Sequence, residues 1–241
     1  ITLMLRHSDP LREQAYREEQ RRARRLATVD DAAYIQRSAR GVPARVQLTL
    51  PQTWTADCRH GQAALRFQLL VEGRVLSPEA IPRHIALALS PEEDALLAVL
   101  EDICEGPPPA CCTLATADLL NVLAVAARAI VQVEGSGPLT IESVPVTVTL
   151  RVDLDQDTGE LLIYPFATLP HAREGELPVF LVNGHRGLVL ANGHLWPMKN
   201  VLPVPYHSIY RQDEIVTRDR VINFLRRDLP QLRSLIQVEM E

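Results

Sequence analysis

The sequence predicts an α+β fold, an antiparallel β-rich core with a few packed helices, preceded by a basic N-terminal helical arm. Three observations lead there. Apolar and polar residues alternate from Ala44 onward, as in Arg45-Val46-Gln47-Leu48-Thr49-Leu50. Two segments with apolar residues at helical spacing interrupt the strands, one after Ser90 and one after Thr116. Residues 1–45 hold ten Arg against six Asp or Glu, a balance of +4, so the other 196 residues carry −9 to reach the overall −5. The chain therefore divides into a basic arm or linker at 1–43 and a mixed α/β region at 44–241, the latter readable as two lobes, 44–134 and 135–241.

Composition bounds the classes. An apolar fraction of 46% over 241 residues is enough for a real core. No run approaches the roughly 18 consecutive apolar residues of a membrane helix, and Ile1-Thr2-Leu3-Met4-Leu5-Arg6 is too short for a signal peptide. The expectation is a cytoplasmic chain with no membrane partner, cut from a longer protein. Cys58, Cys104, Cys111 and Cys112 lack the C-x-x-C spacing of a zinc site and read as reduced thiols. Lys199 is the only lysine, so the abundance of Arg says little by itself.

In chain order, Leu11 to Leu26 reads as a charged helix after Pro10, with Arg17, Arg21, Arg24 and Arg25 on one stripe. Like charges four apart repel by a few tenths of a kcal/mol per pair, so an external anion would relieve them. These four arginines are the candidate nucleic-acid contacts; the alternative is a solvated linker helix, since no aromatic platform is interleaved. Leu65 to Val71 and Arg74-Val75-Leu76 flank Glu72-Gly73, a hairpin signal. Ser90-Pro91-Glu92-Glu93 combines an N-cap, a proline and a capping-box glutamate ahead of Leu96, Val99, Leu100 and Ile103, predicting a helix over 91–104. Gly106 and the three prolines after it end that helix. Thr116 then caps an apolar helix with Leu119, Leu120, Leu123, Val125, Ala126 and Ile130.

The second half reads as mainly β. Arg151-Val152-Asp153-Leu154 pairs with Glu160 to Tyr164 over an Asp-rich turn, and Val179-Phe180-Leu181, Leu188-Val189-Leu190 and Leu195-Trp196 form a meander through two Asn-Gly-His turns. Thr217 caps a helix with Val221, Ile222, Phe224 and Leu225 inward and Arg218, Arg220, Arg226 and Arg227 largely outward. Leu229-Pro230 breaks it before a short helical turn and a closing strand Ile236-Gln237-Val238.

The chemistry-bearing patterns are sparse. Asp153, Asp155 and Asp157 match the first ligands of a calcium loop, but Gly159 is one place late and Tyr164 stands where a bidentate Glu is needed. His185 and His194 could approach each other at strand ends, yet no third metal ligand is indicated. Cys58 and His60 lack an orienting group, and Glu92, Glu93 and Asp94 fit a helix N-terminus. No phosphate-loop, dinucleotide, nucleophile-elbow or H-E-x-x-H motif is present, so no cofactor and no enzymatic activity are expected of these residues.

The run Gly193-His194-Leu195-Trp196-Pro197-Met198, then Val201-Leu202-Pro203, then Ile215-Val216-Thr217 leading into Val221 to Leu225, Leu229-Pro230-Gln231-Leu232 and Val238 carries a resemblance. It resembles the helicase-associated region upstream of the ATPase motor in bacterial Snf2-type helicases, and Ser90 to Leu97 fits the same region. The resemblance spans residues 65–241. It implies a non-catalytic accessory region of an ATP-dependent translocase, whose partners would be the ATPase motor domain of the same parent chain and double-stranded nucleic acid. It also implies a reading frame that continues past Glu241 into nucleotide-binding motifs. A protein-interaction scaffold with no nucleic-acid role is the alternative, favoured by the net charge.

Overall fold

A computed structural model describes residues 35–170 and 177–240. The alternation of Val46, Leu48 and Leu50 with Arg45, Gln47 and Thr49 is realised as β1 (Arg37–Leu50), the middle strand of a seven-stranded sheet. β2 (Gln62–Val71) runs antiparallel beside it and turns through Glu72-Gly73, both at positive φ, into β3 (Arg74–Leu76), as the hairpin signal predicts. β1 starts seven residues before the expected boundary at 44, because Arg37, Val42 and Pro43 lie along the short β4 (Leu87–Ala88). Arg37 and Val42 both stand opposite Leu87, so the strand bulges between them, and a side chain at Gly41 would collide with the Ala86 carbonyl.

α1 (Trp54–Arg59) follows β1 and buries Trp54 and Cys58. α2 (Pro91–Ile103) has the predicted capping box: Ser90 accepts the Glu93 amide, and Glu93 reaches back to the Ser90 amide. Its Leu96, Leu97 and Leu100 are fully buried. β5 (Cys111–Ala115) then adds to β2, an element the sequence did not suggest after three prolines. α3 (Thr116–Val125) corrects the second helix. Thr116 is its first residue rather than its cap, and the hydroxyl donates to the Cys58 carbonyl at 2.8 Å. The helix ends at Val125, and Ile130 belongs to β6 (Ile130–Val133), which lies parallel to β1. β7 (Gly137–Pro138) completes this sheet, and β8 (Thr140–Ile141) enters another.

β9 (Val148–Leu154) and β10 (Leu161–Ala167) pair as predicted, with Leu154 opposite Leu161. β11 (Val179–Asn183), β12 (Arg186–Ala191) and β13 (His194–Pro197) form the predicted meander, and β8 joins it parallel to β13. The core is thus largely antiparallel, with β1–β4, β1–β6, β13–β8 and one later pair parallel.

Two apolar cores flank the meander. One collects β1, β2, α1, α2 and α3; the other collects β9, β10 and the C-terminal helices. Leu181, Leu188 and Leu195 face the first, while Phe180, Val182, Val189, Ala191 and Trp196 face the second. Successive strand residues point to opposite faces, so this sheet is a wall shared by both lobes. That double burial explains the unbroken apolar runs of β11 and β12.

A 3₁₀ segment, Val204–Tyr210, leads to β14 (Glu214–Val216) on the edge of β10. The last helix departs from expectation. Thr217 caps a turn, its carbonyl taking the Arg220 amide at 2.8 Å, before α4 (Val221–Asn223). Pro230 does not break the helix. The chain passes through a π turn, Phe224–Asp228, where the Leu229 amide bonds to the Phe224 carbonyl, and continues as α5 (Leu229–Leu235). The widened turn makes room for a ring that has no N–H to give. The closing strand is β15 (Val238–Met240), two residues later than expected and parallel to β9. Among the described residues, no helix is long and apolar enough to cross a membrane.

Candidate nucleic-acid interface

Arg17, Arg21, Arg24 and Arg25 lie outside the described residues. Within them, the basic surface of interest is the C-terminal helix. Phe224, Leu229, Leu232 and Ile236 turn inward to the second core and fix its orientation. Arg218, Arg220, Arg226, Arg227 and Arg233 are all exposed. Over 218–233 these five cations face only Asp219 and Asp228, a local balance of +3. Arg218 and Arg220 lie in the turn before α4, and Arg226, Arg227 and Arg233 on the helical segments after it.

Four arginines elsewhere in the fold are paired with carboxylates. Arg37 pairs with Asp94 and Glu101, Arg45 with Glu93, Arg66 with Glu134 and Arg151 with Glu239. Arg218, Arg226, Arg227 and Arg233 have no carboxylate partner among the described residues. Arg218 instead lies across Gly159 of the β9–β10 turn, and Arg233 donates to Met240 Sδ at 3.1 Å. The Asp219 carboxyl is held below its usual range by the Thr217 hydroxyl and by the charge of Arg220. Ile222 and Leu225, expected inward, are exposed among the arginines; Leu225 lies in the π turn, whereas Ile222 precedes it on the short α4.

The remaining candidates separate. Cys58 is buried in α1 rather than in an extended loop, so His60, two residues on, points elsewhere, and burial pushes the Cys58 thiol up to about 11. Asp155 accepts the amides of Asp157 and Thr158 at 2.9 and 3.2 Å, which makes the Asp-rich segment a side-chain-closed turn. His185 and His194 sit at opposite ends of β12 and cannot meet. His194 Nδ1 is 2.7 Å from Glu142 Oε1, and its ring stacks on Trp196. Glu93 is buried and fully bonded, whereas Asp94 is an exposed partner of Arg37. Among the described residues, no three His, Cys, Asp or Glu side chains are grouped to hold a metal ion.

Two features escaped the sequence. On the outer face of the β9–β10 sheet, the Arg151 guanidinium lies 3.6 Å from the Phe166 ring centre, and Tyr164 donates to Asp153 at 2.7 Å. Strand alternation alone could have placed these residues on one face. A cleft of about 400 Å³ lies between Ile81, Pro82 and the Pro107–Pro109 loop, but Glu79 at its rim is already engaged by the Ala110 amide.

No family model, curated protein or solved structure matches the chain. The residues that carry the resemblance to the helicase-associated region divide by role. Leu195, Trp196, Leu202, Phe224, Leu229 and Leu232 are core, and Pro230 follows the π turn.

Proposed function

We propose that this chain is a non-catalytic accessory region of an ATP-dependent Snf2-type translocase and contributes to DNA engagement. The observation that carries this reading is the local excess of exposed positive charge, Arg218, Arg220, Arg226, Arg227 and Arg233 against only Asp219 and Asp228, on a turn and helix anchored to the core. A duplex presents one negative charge per roughly 1.7 Å of axis, so a cluster of exposed arginines meets phosphates without needing sequence readout. Arg17, Arg21, Arg24 and Arg25 are the further candidate phosphate contacts, and a motor in the same parent chain would supply the ATP chemistry. Reading the frame past Glu241 for a phosphate-binding loop tests that part directly.

The DNA part is tested by fluorescence anisotropy with a labelled duplex. If all five arginines, Arg218, Arg220, Arg226, Arg227 and Arg233, touch phosphates, log K falls with log salt with a slope of about −4 to −5. Replacing Arg226, Arg227 and Arg233 by Gln lowers the slope by about 2 to 3, while the same change at Arg17, Arg21, Arg24 and Arg25 measures the share of the arm. Unchanged affinity in both variants overturns DNA engagement. The second reading, a protein-interaction scaffold, is favoured by Ile222 and Leu225, 61% and 37% exposed between the arginines. It predicts a bound partner protein whose affinity falls with Ile222→Ser and resists salt.

A further inference from the structure

Asn183-Gly184-His185 and Asn192-Gly193-His194 are the same triplet in two different settings. The first closes β11 to β12, with Asn183 opposite Arg186 and with Gly184 and His185 in the loop. The second closes β12 to β13, with Asn192 and Gly193 in the loop between Ala191 and His194. β11 is an edge of its sheet, whereas β13 lies between β12 and β8. That position braces the second turn. Thr140 on β8 donates its amide to the Gly193 carbonyl at 2.8 Å, and Glu142 donates its amide to the Leu195 carbonyl at 2.9 Å. Asn192 is half-buried. The first turn is open by comparison. Asn183 and His185 are exposed, and a carbon added at Gly184 would meet nothing within 4 Å. Among the described residues, no backbone hydrogen bond from another element reaches this loop.

We infer that Asn183 is a modification site, deamidated without an enzyme to aspartate and isoaspartate, and that β8 shields Asn192 from the same reaction. Hydroxide takes the proton of the Gly184 amide, and the nitrogen attacks the side-chain carbonyl carbon of Asn183. A C–N bond forms, the side-chain nitrogen takes up a proton from water and leaves as ammonia, and a five-membered succinimide remains. Water then opens the ring by breaking one of its two C–N bonds. Attack at the side-chain carbonyl gives aspartate; attack at the main-chain carbonyl gives isoaspartate. In sum, one amide and one water become one carboxylic acid and one ammonia.

Glycine permits the approach because no Cβ stands beside the attacking nitrogen. Ring closure also needs the Asn-Gly peptide to rotate until that nitrogen meets the side chain. The open β11–β12 loop can make this local movement, whereas in the β12–β13 loop it pulls against the bond from Thr140. Either product adds a negative charge beside Arg186, the residue across the turn. Isoaspartate also lengthens the main chain at the end of β11, in the sheet that both cores share.

The test incubates the whole folded chain at mildly alkaline pH and follows both triplets by peptide mapping that separates asparagine, aspartate and isoaspartate. Product at Asn183 should accumulate about tenfold faster than at Asn192, the factor set by one backbone hydrogen bond that must be given up. In urea the two rates should converge, because the unfolded triplets are identical. Equal rates in the folded chain, a faster reaction at Asn192, or no product at Asn183 overturns the inference. So does a difference that persists in urea, since it would then come from the residues flanking each triplet rather than from the turns.

Discussion

Glu93 on α2 accepts the backbone amide of Val46 on β1 at 3.2 Å, across 47 positions of sequence. The same carboxylate takes Arg45 Nε at 3.3 Å and, through its other oxygen, the Ser90 amide and hydroxyl at 3.3 and 3.0 Å. A residue whose sequence position suggests only a helix cap therefore also fastens that helix to the middle of the sheet. Removing it leaves a buried strand amide without an acceptor. Glu93→Ala should destabilise by about 2–4 kcal/mol in urea unfolding. Glu93→Gln should lose about half as much, because its carbonyl oxygen can still accept Val46 while its amide nitrogen cannot accept Ser90. Equal losses would mean that the strand contact contributes nothing.

The shared meander predicts that both lobes unfold together. Trp54 reports on the first core and Trp196 on the second. Single-tryptophan variants, Trp54→Phe and Trp196→Phe, should show internally coincident fluorescence and circular-dichroism transitions. Leu188→Ala and Val189→Ala, adjacent residues facing different cores, should each lower stability by about 1–4 kcal/mol without separating the transitions. Separate midpoints for the two probes would show independent lobes.

Two glycines with crowded surroundings should respond differently to alanine. At Gly41 the added carbon meets the backbone of Ala86 and Leu87, which cannot rotate away, and a loss of about 2–3 kcal/mol is expected. At Gly187 it meets mainly the Met198 sulfur, a flexible partner, with Val201 and Val182 at 3.0 and 3.1 Å. There the loss should be about 1 kcal/mol. Thermal unfolding of the two variants side by side decides the order.

Two thiols should respond to pH over different ranges. Cys104 is drawn down to about 7, so its reactive thiolate is lost as pH falls through neutrality and gained above it. Cys58, raised by burial to about 11, stays protonated across that range. Iodoacetamide labelling of the native chain should therefore rise at Cys104 with a midpoint near pH 7 and reach Cys58 only after unfolding. A Cys104 midpoint near its ordinary value would show that Cys112 does not assist it.

Legibility in the sequence followed local chemistry. The capping box at Ser90, the Glu72-Gly73 hairpin and the β9–β10 ladder are written in adjacent residues, and all three form. The two Asn-Gly-His triplets look alike yet fold differently. Asn183 pairs with Arg186, so the first loop is Gly184-His185, whereas Ala191 pairs with His194 and the second loop is Asn192-Gly193. Register comes from the flanking strands, which the triplet does not encode. The inward face of the C-terminal helix departs from ordinary helical spacing at Leu225, inside the π turn, and Ile222 sits on a helix of only three residues before it. Glu93 gained its second role from Val46, 47 positions away, for which a single sequence offers no signal.

The shared wall also sets an order of events during translation. The first core takes most of its side chains from residues before Ile141, but Leu181, Leu188 and Leu195 close it. A nascent chain that has just exposed Ile141 must wait for 54 more residues before Leu195 emerges, which takes roughly 3–11 s at ~5–20 residues per second. During that interval α1, with Trp54 and Cys58, and the leucine-rich α3 present apolar faces to the ribosome exit and its attendant chaperones. The N-terminal lobe is made first and sealed last.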